Sequence, residues 1–272
     1  MSKMKASFAV GTGRCGTSLM ARLMERESGV DAYHELHPLN ETFHRYCKWN
    51  GLPVDDAGFL HQKELEIKPS TEKGRLFFES SAYLSFSLET LAEYFDIRVT
   101  LLVRHPVDVI NSYLKKGWYN QLTVVADPSL APGFQQTQEF HHFLGRILPR
   151  GSDLEGWQNM GRPGKLAWYW AALNTEVITA FQRLGPDICR VQKIEDLDYA
   201  SYRELAAFLG ASAAIAEDEA RNIIESRPNA FSNLPTIADW SADDCVEVLR
   251  HVRPLADELG YDISALSAQH HD

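Results

Sequence analysis

An α/β fold is what this sequence predicts: a central parallel sheet with helices on both faces. Three observations predict it. Short apolar runs alternate with helical periodicities along the chain. One run, Ile97 to Val103, is mostly β-branched and apolar, as a strand buried on both faces must be. The first run passes through a glycine-rich loop straight into a helix.

The elements follow in order. Ser7-Phe8-Ala9-Val10 reads as the first strand, Gly11 to Gly16 as a tight loop, and Thr17 to Arg26 as a helix. Leu19, Met20, Leu23 and Met24 share one face of that helix. Gly29 closes it, and Val30 to Tyr33 makes the second strand. A polar, aromatic stretch runs to about Gly74, then Leu76-Phe77-Phe78 forms a third strand. Leu84 to Phe95 has helical spacing and leads into the long strand; Pro106 opens the next helix at its first position. Residues 115–165 are rich in Gly, Pro, Gln and aromatics and are expected to form an acceptor-binding lid or insertion. Leu166 to Leu184 is a helix, Ile188 to Gln192 a strand, and Tyr202 to Leu209 a helix stopped at Gly210. Ala242 to Leu259 is the last helix, with Pro254 expected to kink or break it. Nothing marks a boundary, so residues 1–272 are expected to form a single domain.

Composition narrows the function. A hydrophobic content of 44% supports a full core. The net charge of −10 repels polyanions, which argues against nucleic-acid partners but not against a small phosphate in a local basic pocket. Cys15, Cys47, Cys189 and Cys245 lie far apart without metal-ligand spacing, which fits a reducing, cytoplasmic location. No run has the length of a membrane span.

The loop Gly11-Thr12-Gly13-Arg14-Cys15-Gly16-Thr17-Ser18 sits between strand and helix, where glycines turn backbone amides inward and the helix start adds its own N–H groups. Phosphate is the natural occupant, and the sheet is of the P-loop type. The pattern approaches the nucleoside-triphosphate loop GxxxxGK[ST], but Thr17 stands where the lysine should be. ATP or GTP hydrolysis is therefore disfavoured, and Arg14 points to a shorter 5′ group. A cysteine phosphatase would need an arginine six positions after Cys15; that position is Ala21.

Arg104 ends the long strand and Ser112 follows on the next helix, a second candidate anion site. Two such sites suggest a nucleotide phosphorylated at both ends. These residues resemble the PAPS-dependent sulfotransferases (PAPS is 3′-phosphoadenosine 5′-phosphosulfate), in the motif variant of the bacterial and tyrosylprotein enzymes. Arg14 to Ser18 is similar to their 5′-phosphosulfate loop, and Arg104-His105-Pro106 with Ser112 to their 3′-phosphate motif. Ile194-Glu195-Asp196-Leu197 resembles a Tyr-Glu-Asp-Leu signature, Arg227-Pro228 a Lys-Pro element, and Trp240 through Leu259-Gly260-Tyr261 the C-terminal helix and its end. Related bacterial sequences often carry Glu-Lys where this chain has Glu79-Ser80, so that a basic contact is either missing there or supplied by Lys73 or Lys193.

The resemblance implies sulfuryl transfer from PAPS, as co-substrate and without a metal, to a hydroxyl or amine of a small-molecule, lipid or peptide acceptor. It implies that Gly13, Arg14, Cys15, Gly16, Thr17 and Ser18 hold the 5′ end, and Arg104, Ser112 and Arg227 the 3′-phosphate. Arg14 with the loop amides would stabilise the leaving bisphosphate. Glu35, 21 positions beyond Arg14, is the expected general base, with His34, His37 and Glu79 as rivals. Trp49, Phe59, Trp118, Tyr119, Phe134, Phe140, Phe143 and Trp157 are aromatic candidates for an acceptor pocket or for a small core of their own. A non-catalytic nucleotide-binding module and a P-loop phosphotransferase with an altered loop are the alternatives.

Overall fold

Strand formation follows the apolar runs. In the computed structural model, which describes residues 3–120, 144–226 and 233–268, five strands form one parallel sheet. They are β1 (Lys5–Gly11), β2 (Val30–His34), β3 (Leu76–Ser80), β4 (Asp96–Val103) and β5 (Cys189–Lys193), in the order β2-β3-β1-β4-β5. The described residues group into two units, and the whole sheet belongs to the first (Met1–Val103 with Glu176–Ala230).

Alternation along β1 sorts the two faces of the sheet. Ala9 and Phe78 face α1 (Thr17–Glu25), where they pack with Leu19, Met20, Leu23 and Met24. The same cluster takes in Tyr202 and Leu205 of α8 (Tyr199–Phe208) and Ala220 of α9 (Glu217–Ser226). Phe8 and Phe77 point the other way and meet edge-on at 6.3 Å. That opposite face is covered by α2 (Pro38–Asn50), α3 (Asp56–Glu72) and α4 (Leu88–Tyr94). The connection after β1 thus leaves on one face and the connection after its neighbour β3 on the other. Such a switch point opens a crevice at the carboxyl ends of the strands.

Sequence patterning missed α2 and α3, placing both in the polar stretch before Gly74. Their starts are well signalled, by Pro38 at the first turn of α2 and by Asp55, whose side chain accepts the Gly58 N–H at 2.8 Å. Their buried faces are mixed, however: beside Trp49, α2 buries Glu41, His44 and Arg45, and beside Phe59 and Ile67, α3 buries Lys63. The predicted helix 84–95 is a 3₁₀ turn (Ala82–Phe86) followed by α4.

The second unit comprises Arg104–Thr175 and Phe231–Asp272. It contains α5 (Pro106–Lys116), α6 (Asp153–Asn159), the first part of α7 (Arg162–Leu184), α10 (Ala242–Glu258) and the short α11 (Ala265–Ala268). Helix α7 begins four residues earlier than its periodicity indicates, inside the expected insertion. Helix α10 runs through Pro254 without a break, because Cys245, Val248, Val252, Leu255 and Ala256 bury a continuous stripe while the proline lies exposed. Gly260 ends it at φ 68, and the Tyr261 N–H returns to the Ala256 carbonyl at 2.8 Å. Tyr261 then packs edge-on to His105 and Trp170, which accounts structurally for the Leu-Gly-Tyr sequence.

Candidate active site

The loop after β1 is shaped by left-handed backbone. Gly13, Arg14 and Gly16 have φ of 77°, 57° and 99°, a conformation that turns consecutive N–H groups toward one side. Gly16 is also needed for space. A Cβ there would lie 2.5 Å from Ile194 Cδ1, so the Ile-Glu-Asp-Leu segment packs directly against the loop. As the N-cap of α1, Gly16 brings no capping side chain to the helix start.

Exposure divides the loop residues. Gly13, Arg14, Gly16 and Ser18 are partly accessible, whereas Thr12, Cys15 and Thr17 are buried. The Cys15 thiol points into the core, where burial raises its pKa despite hydrogen bonds from Gly13 and Thr12. The helix start therefore does not activate it, and any ligand contact from Cys15 is through its backbone.

The first unit gathers the rival bases around the ends of β2 and β3. His34 Nε2 lies 3.3 Å from Thr17 Oγ1, which ties the end of β2 to the start of α1. His34 is solvent-accessible overall, yet the protein crowded around its ring pushes its pKa down, opposed by the Glu41 charge. Glu35 follows with φ 50°, its N–H donating to the Ser80 carbonyl at 3.1 Å. The Leu36 N–H donates to Glu79 Oε1 at 2.9 Å. His37, half exposed, lies 3.7 Å from Glu66 Oε1.

Glu79, the weakest of the rivals, is closed to solvent. It is 0% exposed, accepts from Lys63 Nζ at 2.7 Å and is already engaged at Leu36. Lys63 also donates to Glu41 at 2.7 Å and lies 2.8 Å from Glu66, and Ser81 donates to Glu41. Glu41, Glu66 and Glu79 could together hold a metal ion, but the Lys63 ammonium stands among them as the cation. This charged cluster escaped the sequence reading; Lys63 and Glu66, three apart on α3, were its visible trace.

Other expectations resolve less evenly. Lys73 caps the C-terminus of α3 and precedes β3, at the opposite end of that strand from Ser80, so it cannot supply the missing cation at the site. Lys193 ends β5 and lies 4.0 Å from Asp196. In the second unit, Arg104 donates to Asp108 at 3.0 Å, its carbonyl accepts from Trp170 Nε1 at 3.1 Å, and Ser112 is buried on α5. Arg227, Phe134, Phe140 and Phe143 lie outside the described residues.

The described aromatics form cores. Trp118, Tyr119 and Trp157 are buried with Tyr113 and Tyr169, in edge-on or tilted contacts within the second unit. Trp49 stacks on Phe86 at 5.3 Å, and Phe59 on His44 at 3.9 Å. Among the described residues no helix is long and apolar enough to cross a membrane.

No family model matches the chain, and no curated protein matches its sequence. Solved structures do match its fold. The sulfotransferase domain from the olefin synthase of Synechococcus PCC 7002 aligns with a TM-score of 0.52 at 13% identity, over 96% of each chain. A sulfotransferase domain from the curacin biosynthetic pathway aligns at 0.50 and 13%, over 96% of this chain and 99% of that one. The fold is sulfotransferase-like.

Proposed function

We propose that this chain, on its sulfotransferase-like fold, moves the sulfuryl group of PAPS onto a hydroxyl or amine of a small-molecule, lipid or peptide acceptor. The observation that carries the reading is where the backbone is strained. Five non-glycine residues have left-handed backbone among the described residues, and two of them are Arg14 and Glu35, at the loops after β1 and β2. Such conformations are costly and gather where geometry must be held for chemistry.

In this reading the acceptor oxygen or nitrogen attacks sulfur. The bond from sulfur to the 5′-phosphate oxygen breaks, its electron pair stays on that oxygen, and the acceptor proton passes to Glu35. Arg14 and the loop amides stabilise the charge that grows on the leaving bisphosphate. Thr17 and Ser18 hold the 5′-phosphate. Arg104, Ser112 and Arg227 are assigned to the 3′-phosphate by motif resemblance alone. The transferred group carries less charge than a γ-phosphoryl, so the chemistry calls for no metal.

A thermal-shift titration with 3′-phosphoadenosine 5′-phosphate tests the donor, with AMP, ADP and magnesium-ATP as controls. Ligand at 100 times its Kd should add about 2.7 kcal/mol, a rise of several degrees. A flat response to the bisphosphate with a clear shift from magnesium-ATP would assign a phosphotransferase instead.

A further inference from the structure

The turn carrying Glu35 is pinned by the last two residues of β3. Register sets Tyr33 opposite Glu79 and His34 opposite Ser80, so both pins continue the β2–β3 ladder. One is main-chain, from the Glu35 N–H to the Ser80 carbonyl, and any residue at position 80 could supply it. The other runs from the Leu36 N–H to Glu79 Oε1 and needs an acceptor side chain at position 79.

Glu79 is in turn held from below. Its second oxygen accepts from Lys63, whose ammonium also reaches Glu41 on α2 and Glu66 on α3. The other oxygen of Glu66 faces His37. One buried lysine thus ties β3, α2 and α3 to Leu36 and His37 of the turn.

Such a cluster is a poor way to stabilise a core, since well-packed apolar residues do as well or better. Three ionised carboxylates around one ammonium would also leave two excess negative charges in a buried place. Burial and the neighbouring Glu41 charge push the Glu79 pKa well up, while Lys63 holds Glu41 below its ordinary range. Both carboxyls accept from the same Lys63 ammonium. Protonated or ionised, Glu79 offers Oε1 to the Leu36 amide.

We propose that Glu79 is a positioning residue: steadied by Lys63, its carboxyl pins the Leu36 amide and so sets the left-handed Glu35 turn and the direction of the Glu35 side chain. The inference rests on the reading of Glu35 as the base.

Glu79→Leu and Glu79→Gln in the full chain separate pinning from every other role. Leucine removes the acceptor but leaves Lys63 paired with Glu41 and Glu66, so the chain should still fold. Glutamine keeps an oxygen for Leu36 on a side chain of nearly the same shape. Exchange of the Leu36 amide, followed by NMR, should accelerate about tenfold or more in the leucine variant and stay parental in the glutamine variant. PAPS turnover is read with a phenol and a long-chain primary alcohol as probe acceptors. In the leucine variant kcat should fall on the order of 10- to 100-fold with KM for PAPS unchanged, and glutamine should restore it to within about twofold. Parental exchange in the leucine variant overturns the proposal, as does an equal loss of kcat in both variants. Should leucine prevent folding, Glu79→Met carries the same expectations with a more adaptable side chain. Glu35→Gln is run alongside. Parental turnover there overturns the base reading itself, whereas slow Glu35→Gln beside parental Glu79→Leu overturns the positioning role alone.

Discussion

Arg14 and Glu35 share a left-handed backbone, an unfavourable state for side chains with a Cβ, and each follows a strand end in the sheet-bearing unit. A removable carboxylate at the second position gives a sharp expectation. Glu35→Gln should lower kcat by roughly 10²–10⁴-fold while the affinity for 3′-phosphoadenosine 5′-phosphate, measured by calorimetry, stays parental. Comparable losses in both quantities would make Glu35 a nucleotide ligand instead. Much of this was legible in the residues alone. Gly13 and Gly16 mark a tight loop because glycine adopts its left-handed backbone freely, whereas nothing in the sequence signals that backbone at Arg14. Less legible was the direction of each side chain. Cys15 lies between two loop glycines yet faces the core, and no local pattern distinguishes a buried thiol from an activated one.

Among the elements the sequence hid, α2 and α3 carry charge on their buried faces. Periodicity reads burial from apolarity, and α2 and α3 bury Glu41, Arg45 and Lys63. Lys63 is compensated by Glu79, 16 residues away in sequence, a pairing no window over α3 contains. Pro254 failed in the opposite sense. Its missing N–H leaves the Arg250 carbonyl without a helical partner, but on an exposed face water takes that place. Pro254→Ala should therefore restore a helical hydrogen bond and raise stability by about 1–3 kcal/mol, seen as a higher denaturation midpoint. An unchanged or lower midpoint would mean that α10 is bent at this proline and packed in that form.

At the scale of the whole molecule the buried carboxyls give stability a pH dependence of mixed sign. Glu41, held down by Lys63, and Asp31, held down by Ser70 and Arg75 against its burial, contribute stability above their unfolded pKa that is lost as pH falls through the folded values. Glu79 has the reverse sign. Its folded pKa is raised, so its contribution is fully present below the unfolded value of about 4.3 and is lost as pH climbs toward the folded one. Urea midpoints from pH 5 to 8 should thus fall in the parent relative to Glu79→Gln, at up to about 1.4 kcal/mol per pH unit. A constant offset between the two chains would show that Glu79 holds no extra proton.

By itself the sequence determined the alternation of strands and helices, the glycine loop after β1 and the charge balance that disfavours polyanions. Each of these is written in neighbouring residues: apolar runs, glycine spacing, summed charge. Tertiary structure alone decided the order of strands around β1 and the lysine among three carboxylates beside the Glu35 turn. The physical reason is range. Strand order and buried charge are settled by partners tens of residues apart, and a buried ion is tolerable only once all of those partners have arrived.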